Sequence, residues 1–146
     1  MNDSISFEEL KYTLYEIQEI YHRFSLKLGL SDTVYSLFDA LLNDQQEFTL
    51  TKLSLWLGMP KQTLHSALLS MQQKGLITVQ EGKRNKTIRL SEEGKKIAEE
   101  TVGRVAACEQ QIMSQWPEED RRNFCRLSRK LLNDLDTAEK GFQKTS

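Results

Sequence analysis

Cysteine, histidine and proline are scarce in this chain: two of each among 146 residues, beside seven glycines. So few backbone breakers favour helices over a loop-rich β architecture. Cys108 and Cys125 fit neither a disulfide framework nor a CxxC site. They read as small buried hydrophobes in a reducing compartment, with a redox switch as the alternative. His22 and His65 lie 43 positions apart with no close cysteine pair, so no metal site is expected and no cofactor is implied. No basic segment leading into an apolar one opens the chain, and no window nears the ~18 continuous apolar residues of a membrane span. The expectation is a cytoplasmic protein with no membrane partner. Enzyme signatures are missing as well: there is no GxGxxG, P-loop, HExxH or GxSxG. The carboxylates scatter over expected solvent faces, so the chain is not read as an enzyme.

What the chain has is an uneven distribution of charge. The formal net charge is −1. Residues 1–50 carry three cations against nine acids, whereas residues 51–90 carry seven cations against Glu81 alone. A basic middle in a neutral chain is the footprint of a polyanion-binding segment.

Hydrophobic spacing divides the chain into elements. Ser6-Phe7-Glu8-Glu9 has the form of a capping box. Phe7, Leu10, Leu14, Ile17, Tyr21, Phe24 and Leu28 follow at alternating spacings of three and four, up to Gly29. This is a narrow 3.5-residue seam on a helix about 33 Å long. So long a seam exceeds what a small middle domain can cover, which points to packing against other long helices, including those of a second subunit. Ser31-Asp32 starts a second helix with Val34, Leu37, Phe38, Leu41 and Leu42 inward. A short third helix around Thr51–Leu57 ends at Gly58. Pro60 opens a fourth as its first residue, where the missing N–H costs nothing, and Gly75 closes it after Lys74. Two alternating runs, 76–80 and 87–90, flank a cationic loop and predict a hairpin. Ser91-Glu92-Glu93 starts one long helix carrying Ile97, Val102, Val105, Ile112 and Met113. Trp116-Pro117 introduces a last helix with Phe124, Leu127, Leu131, Leu135, Ala138 and Phe142 on one side.

The middle therefore reads as a helix-turn-helix followed by a wing. Leu64, Ala67, Leu68 and Met71 form the inner stripe of the fourth helix. Its outer face is free of carboxylates and offers Lys, Gln, Thr, His and Ser, which suit phosphates and base edges. The helix start places free N–H groups beside Lys61, Gln62 and Thr63, where a phosphate is stabilised. The loop with Lys83, Arg84 and Lys86 is slim enough to reach a neighbouring groove, and arginine suits a narrow minor groove.

These residues resemble a known family. L-S-L-W-L-G-M-P-K-Q-T-L-H-S-A-L-L-S-M-Q-Q-K-G-L-I, the GKRNK wing and T-I-R-L-S-E-E-G-K-K are similar to the bacterial MarR family of transcriptional regulators. The resemblance covers most of the chain and is most specific over residues 50–96. It implies that the terminal helices interlock into an obligate homodimer, with the recognition helix in the major groove and a wing arginine in the minor groove. It also implies that Lys61, Gln62, Thr63, His65 and Ser66 face bases and phosphates, and that Thr51 and Lys52 contact the DNA backbone. Arg84 is then the wing arginine, flanked by Lys83, Asn85 and Lys86. Members often hold a small aromatic effector between terminal helices and winged domain, which Tyr15, His22 and Trp56 would line. The alternative for His22 is interfacial packing as a satisfied histidine. Leu55 and Trp56 either widen the core or form an apolar patch. The acid that many members carry two positions before the wing arginine is Gly82 here, and the first helix lacks the cysteine of the peroxide-sensing branch.

The reading is an all-α protein with a small two-stranded β-wing: a dimerisation helix over 1–30, a winged helix-turn-helix over 31–96, and dimerisation helices over 97–146. The expected function is a sequence-specific regulator of transcription that binds double-stranded DNA. It acts as a homodimeric repressor on a pseudo-palindromic operator, with or without release by a small aromatic effector. The alternative is a winged-helix module that binds proteins and no DNA.

Overall fold

The computed structural model describes residues 6–82 and 84–145. In chain order the elements are α1 (Phe7–Leu28), α2 (Asp32–Leu41), α3 (Leu50–Leu57), α4 (Lys61–Gln73), β1 (Ile77–Glu81), β2 (Lys86–Leu90), α5 (Glu92–Glu100), α6 (Val102–Gln115) and α7 (Glu118–Lys140). Packing divides the chain into two units between Ala106 and Ala107.

In the first unit each short helix starts on a side-chain cap. Ser31 Oγ accepts from Val34 N–H at 3.1 Å, and Thr49 Oγ1 accepts from Lys52 N–H at 3.1 Å. Each supplies a partner for a helix-start donor that has none within the helix. The core is apolar and continuous: Leu37 and Phe38 from α2, Phe48, Leu53 from α3, Leu64, Leu68 and Met71 from α4, Ile77 and Ile88 from the strands, and Ala98, Val102 and Val105 beyond them. Three of the four stripe residues on α4 are buried and Ala67 is half-buried, so the 3.6-residue period reads correctly.

The hairpin is antiparallel, with Ile77 opposite Leu90 and Glu81 opposite Lys86. Phe48 adds a third, one-residue strand. Ile88 N–H donates to the Phe48 carbonyl at 2.8 Å, which places β2 between β1 and the segment that enters α3. Ser91 ties the far end together. Its Oγ donates to the Gly75 carbonyl at 2.6 Å and accepts from Gly94 N–H at 3.0 Å. Gly94 sits so tightly that a Cβ there would run into the Leu76 carbonyl.

Four expectations need correction. The helix expected to run unbroken from Ser91 is two helices, parted at Thr101 with φ −114° and ψ −91°. The Thr101 hydroxyl donates to the Ile97 carbonyl at 2.7 Å and so competes with the backbone for it. The Val102-Gly103 pair that follows has low helix propensity. Pro60 is the N-cap of α4 rather than its first residue, in extended conformation with φ −60° and ψ 141°. α4 itself ends at Gln73, one residue short of Lys74, which is the C-cap. Cys108 and Cys125 are exposed rather than buried.

The apolar seam of α1 stays largely uncovered within the chain. Phe7, Leu10, Leu14 and Ile17 are exposed, whereas Phe24 and Leu28 pack on the core and Tyr21 meets the core residue Tyr35 edge-on. In the second unit α7 buries none of its residues. Phe124, Leu127 and Leu135 are each about half exposed, and Trp116 meets Phe124 edge-on with centroids 5.6 Å apart.

Candidate nucleic-acid interface

The turn between α3 and α4 sets where α4 begins. Gly58 has φ +63°, which turns the chain sharply after Leu57. Ser54 then clasps the loop from both sides: Met59 N–H donates to the Ser54 carbonyl at 3.2 Å, and Ser54 Oγ donates to the Met59 carbonyl at 2.6 Å. The chain enters α4 at Lys61 without any side-chain cap. Its first N–H groups therefore carry the positive end of the helix without a protein acceptor from a capping side chain.

Lys61, Gln62, Thr63, His65 and Ser66 are all exposed on this helix, while Leu64 among them and Leu68 just beyond are buried. The inner stripe anchors the helix and the intervening residues form its outer face. Between α4 and the wing lies a cleft of about 410 Å³. Leu68, Ile77, Val79 and Ile88 line its depth, and Thr51, His65, Gln72, Arg84, Asn85 and Lys86 supply its polar groups. Among the described residues no carboxylate lines it.

Of the residues expected to meet DNA, the cleft thus gathers Thr51, His65, Arg84, Asn85 and Lys86. Lys61, Gln62, Thr63 and Ser66 are exposed on α4 outside that lining. Lys83 lies outside the described residues. Lys52 is half-buried and engaged: its Nζ donates to Gln46 Oε1 at 2.7 Å and stands 5.5 Å from the Phe48 ring centroid. The wing tip closes through Gly82 N–H, which donates to the Asn85 carbonyl at 3.1 Å. A Cβ on Gly82 would approach that same carbonyl oxygen at 2.8 Å, so the glycine keeps the tip tight. Glu81 pairs with Lys86, and Arg89 with Glu47 at 2.8 Å.

The three effector candidates occupy α1 and α3. Tyr15 is exposed. His22 Nδ1 lies 2.8 and 3.0 Å from the two Asp32 carboxylate oxygens. Trp56 stands edge-on to Phe48 at 5.5 Å. None of the three lines the α4–wing cleft. Leu55 beside Trp56 is 82% exposed, so it does not widen the core.

Sequence reasoning overlooked Gln46, Ser54 and Gln72. Gln72 sits late on α4 and lines the cleft, one turn beyond Leu68. Ser54 and Gln46 act through loop geometry that no periodicity encodes.

Comparison with solved structures identifies the architecture. NMB1585, a MarR family regulator from Neisseria meningitidis, matches with a TM-score of 0.79 at 17% identity, over 95% of this chain and 100% of that one. The MarR family transcriptional regulator SPO1453 from Silicibacter pomeroyi DSS-3 matches with a TM-score of 0.69 at 23% identity, over 91% and 99%. Staphylococcus aureus MepR in complex with DNA matches with a TM-score of 0.68 at 20% identity, over 90% and 99%. The chain has the winged-helix fold of the MarR regulators. No protein-family model and no curated protein matches the sequence.

Proposed function

We propose that this chain is a regulator of transcription that binds double-stranded DNA sequence-specifically as a homodimer. It acts in the cytoplasm as a repressor on a pseudo-palindromic operator, and it is not an enzyme. The observation that carries this reading is the cleft in which a carboxylate-free helix face meets Arg84, Asn85 and Lys86. α4 presents donors and acceptors for base edges, and the wing presents cations for phosphate and the minor groove. A structural neighbour, MepR, has been solved with DNA. The uncovered seams of α1 and α7 supply the dimer contact, within residues 1–30 and 97–146 as read from sequence.

Selection of duplexes from a random pool, followed by footprinting, tests the reading. The selected sites should carry two dyad-related half-sites about 10 bp apart. Arg84→Ala should weaken binding about tenfold across most sequences, whereas Gln62→Ala and His65→Ala should each change the preferred bases at a few positions. The exposure of Leu55 on α3 favours one other reading, a module that binds protein through the Leu55–Trp56 surface. A protein that retains no duplex over competitor at low salt would support it.

A further inference from the structure

Glu81 is the sole carboxylate among residues 51–90, against seven cations. Its position makes it more unusual. It is the last residue of β1 and pairs in register with Lys86, the first of β2. Strand alternation puts Glu81 on the same face as Ile77 and Val79, and Lys86 on the same face as Ile88. Ile77, Val79, Lys86 and Ile88 all line the α4–wing cleft. The single acid of the basic segment therefore stands at the edge of the surface assigned to DNA, with the wrong sign for a phosphate.

Stability does not account for it. The Glu81 Oε1–Lys86 Nζ separation is 3.7 Å and both side chains are more than two-thirds exposed. Ion pairs of that kind contribute little to folding. The hairpin is held instead by Ile77 and Ile88 in the core and by the Phe48 bridge.

We infer that Glu81 is a brake on the wing's hold on phosphate, an inference that rests on the function proposed above. It pairs with Lys86 beside the wing tip and opposes phosphate there, so it lowers affinity for any duplex, selected or not. The effect is one of phosphate electrostatics and is measured by counterion release. Operator binding adds base contacts from α4 and Arg84, which a charge at position 81 does not supply or remove, so the ratio of the two affinities is left unchanged.

Glu81→Gln removes the charge and keeps the side chain's size. Two duplexes are compared: one selected by the wild type from a random pool, and a scrambled one of equal length. The variant should bind the scrambled duplex about fivefold more tightly per subunit. Its log–log salt slope should steepen by about 0.9 per subunit as Lys86 becomes available to phosphate. The selected duplex should gain by the same factor, so that the ratio of selected to scrambled affinity stays at the wild-type value, and Lys86→Gln in the same background should return the slope to the wild-type value. Thermal melting of Glu81→Gln should match the wild type. The inference is overturned if the variant keeps the wild-type slope and the wild-type affinity for both duplexes. It is overturned equally if the variant binds both duplexes more weakly with a lowered Tm, since Glu81 would then be an anchor of the hairpin. If wild type and variant alike retain no duplex at low salt, the DNA-binding reading itself falls and takes this one with it.

Discussion

Single residues carry the geometry of the reading surface, and the ones that matter most are not those that contact a ligand. Gly94 is the clearest case. Its Cα lies against the Leu76 carbonyl, at the point where the end of the hairpin region meets the start of α5. Backbone cannot yield as a flexible side chain can, so Gly94→Ala forces α5 away from Leu76. Overpacking of this kind costs about 1–3 kcal/mol, and chemical denaturation should show a loss at the upper end of that range. Nothing in the periodicity of residues 91–100 marks this position; a glycine inside a helix reads from sequence only as a weak point. The same limit hid Gln46 and Ser54, whose partners are fixed by loop paths. The outer face of α4 was legible because a helix of known phase dictates which of its residues turn outward, and Lys61, Gln62, Thr63, His65 and Ser66 are all exposed.

At the scale of elements, caps and period were informative and continuity was not. Ser6, Ser31 and Ser91 each cap the helix they were expected to start. α5 and α6 were read as one helix because the apolar positions keep their spacing across Thr101, and a hydroxyl that captures a carbonyl leaves no trace in that spacing. The one-residue strand at Phe48 escaped notice for a related reason: a single β-bridge has no alternation to detect. α1 makes a firm prediction of its own. The spacing of its seam matches a coiled-coil interface, and Ile17 lies exposed near the middle of the helix. Ile17→Glu places a charge on that seam and should dissociate the proposed dimer, as sedimentation would show. The winged domain should remain folded, because Ile17 contributes nothing to its core.

For the whole molecule, affinity is expected to follow salt and symmetry. If Lys61 and Arg84 of each subunit are the phosphate contacts of the proposed dimer, the log–log slope is about −3.6, and titration of a selected duplex across salt concentrations measures it. A slope near zero would mean that the cationic middle of the chain does not touch phosphate. A neutral total charge, −1 by formal count, conceals this behaviour, since the cations gather where the acids are absent. The wing also has less freedom than a surface hairpin ordinarily has. Ile88 and Arg89 are fastened to Phe48 and Glu47, the two residues just ahead of the α3 cap. Splaying the hairpin outward therefore drags the first turn of α3 with it. The span between α4 and the wing is in effect a fixed gauge; on the function proposed above, duplexes whose grooves do not match that gauge must deform to fit it, so that DNA stiffness as well as base identity enters the choice of site.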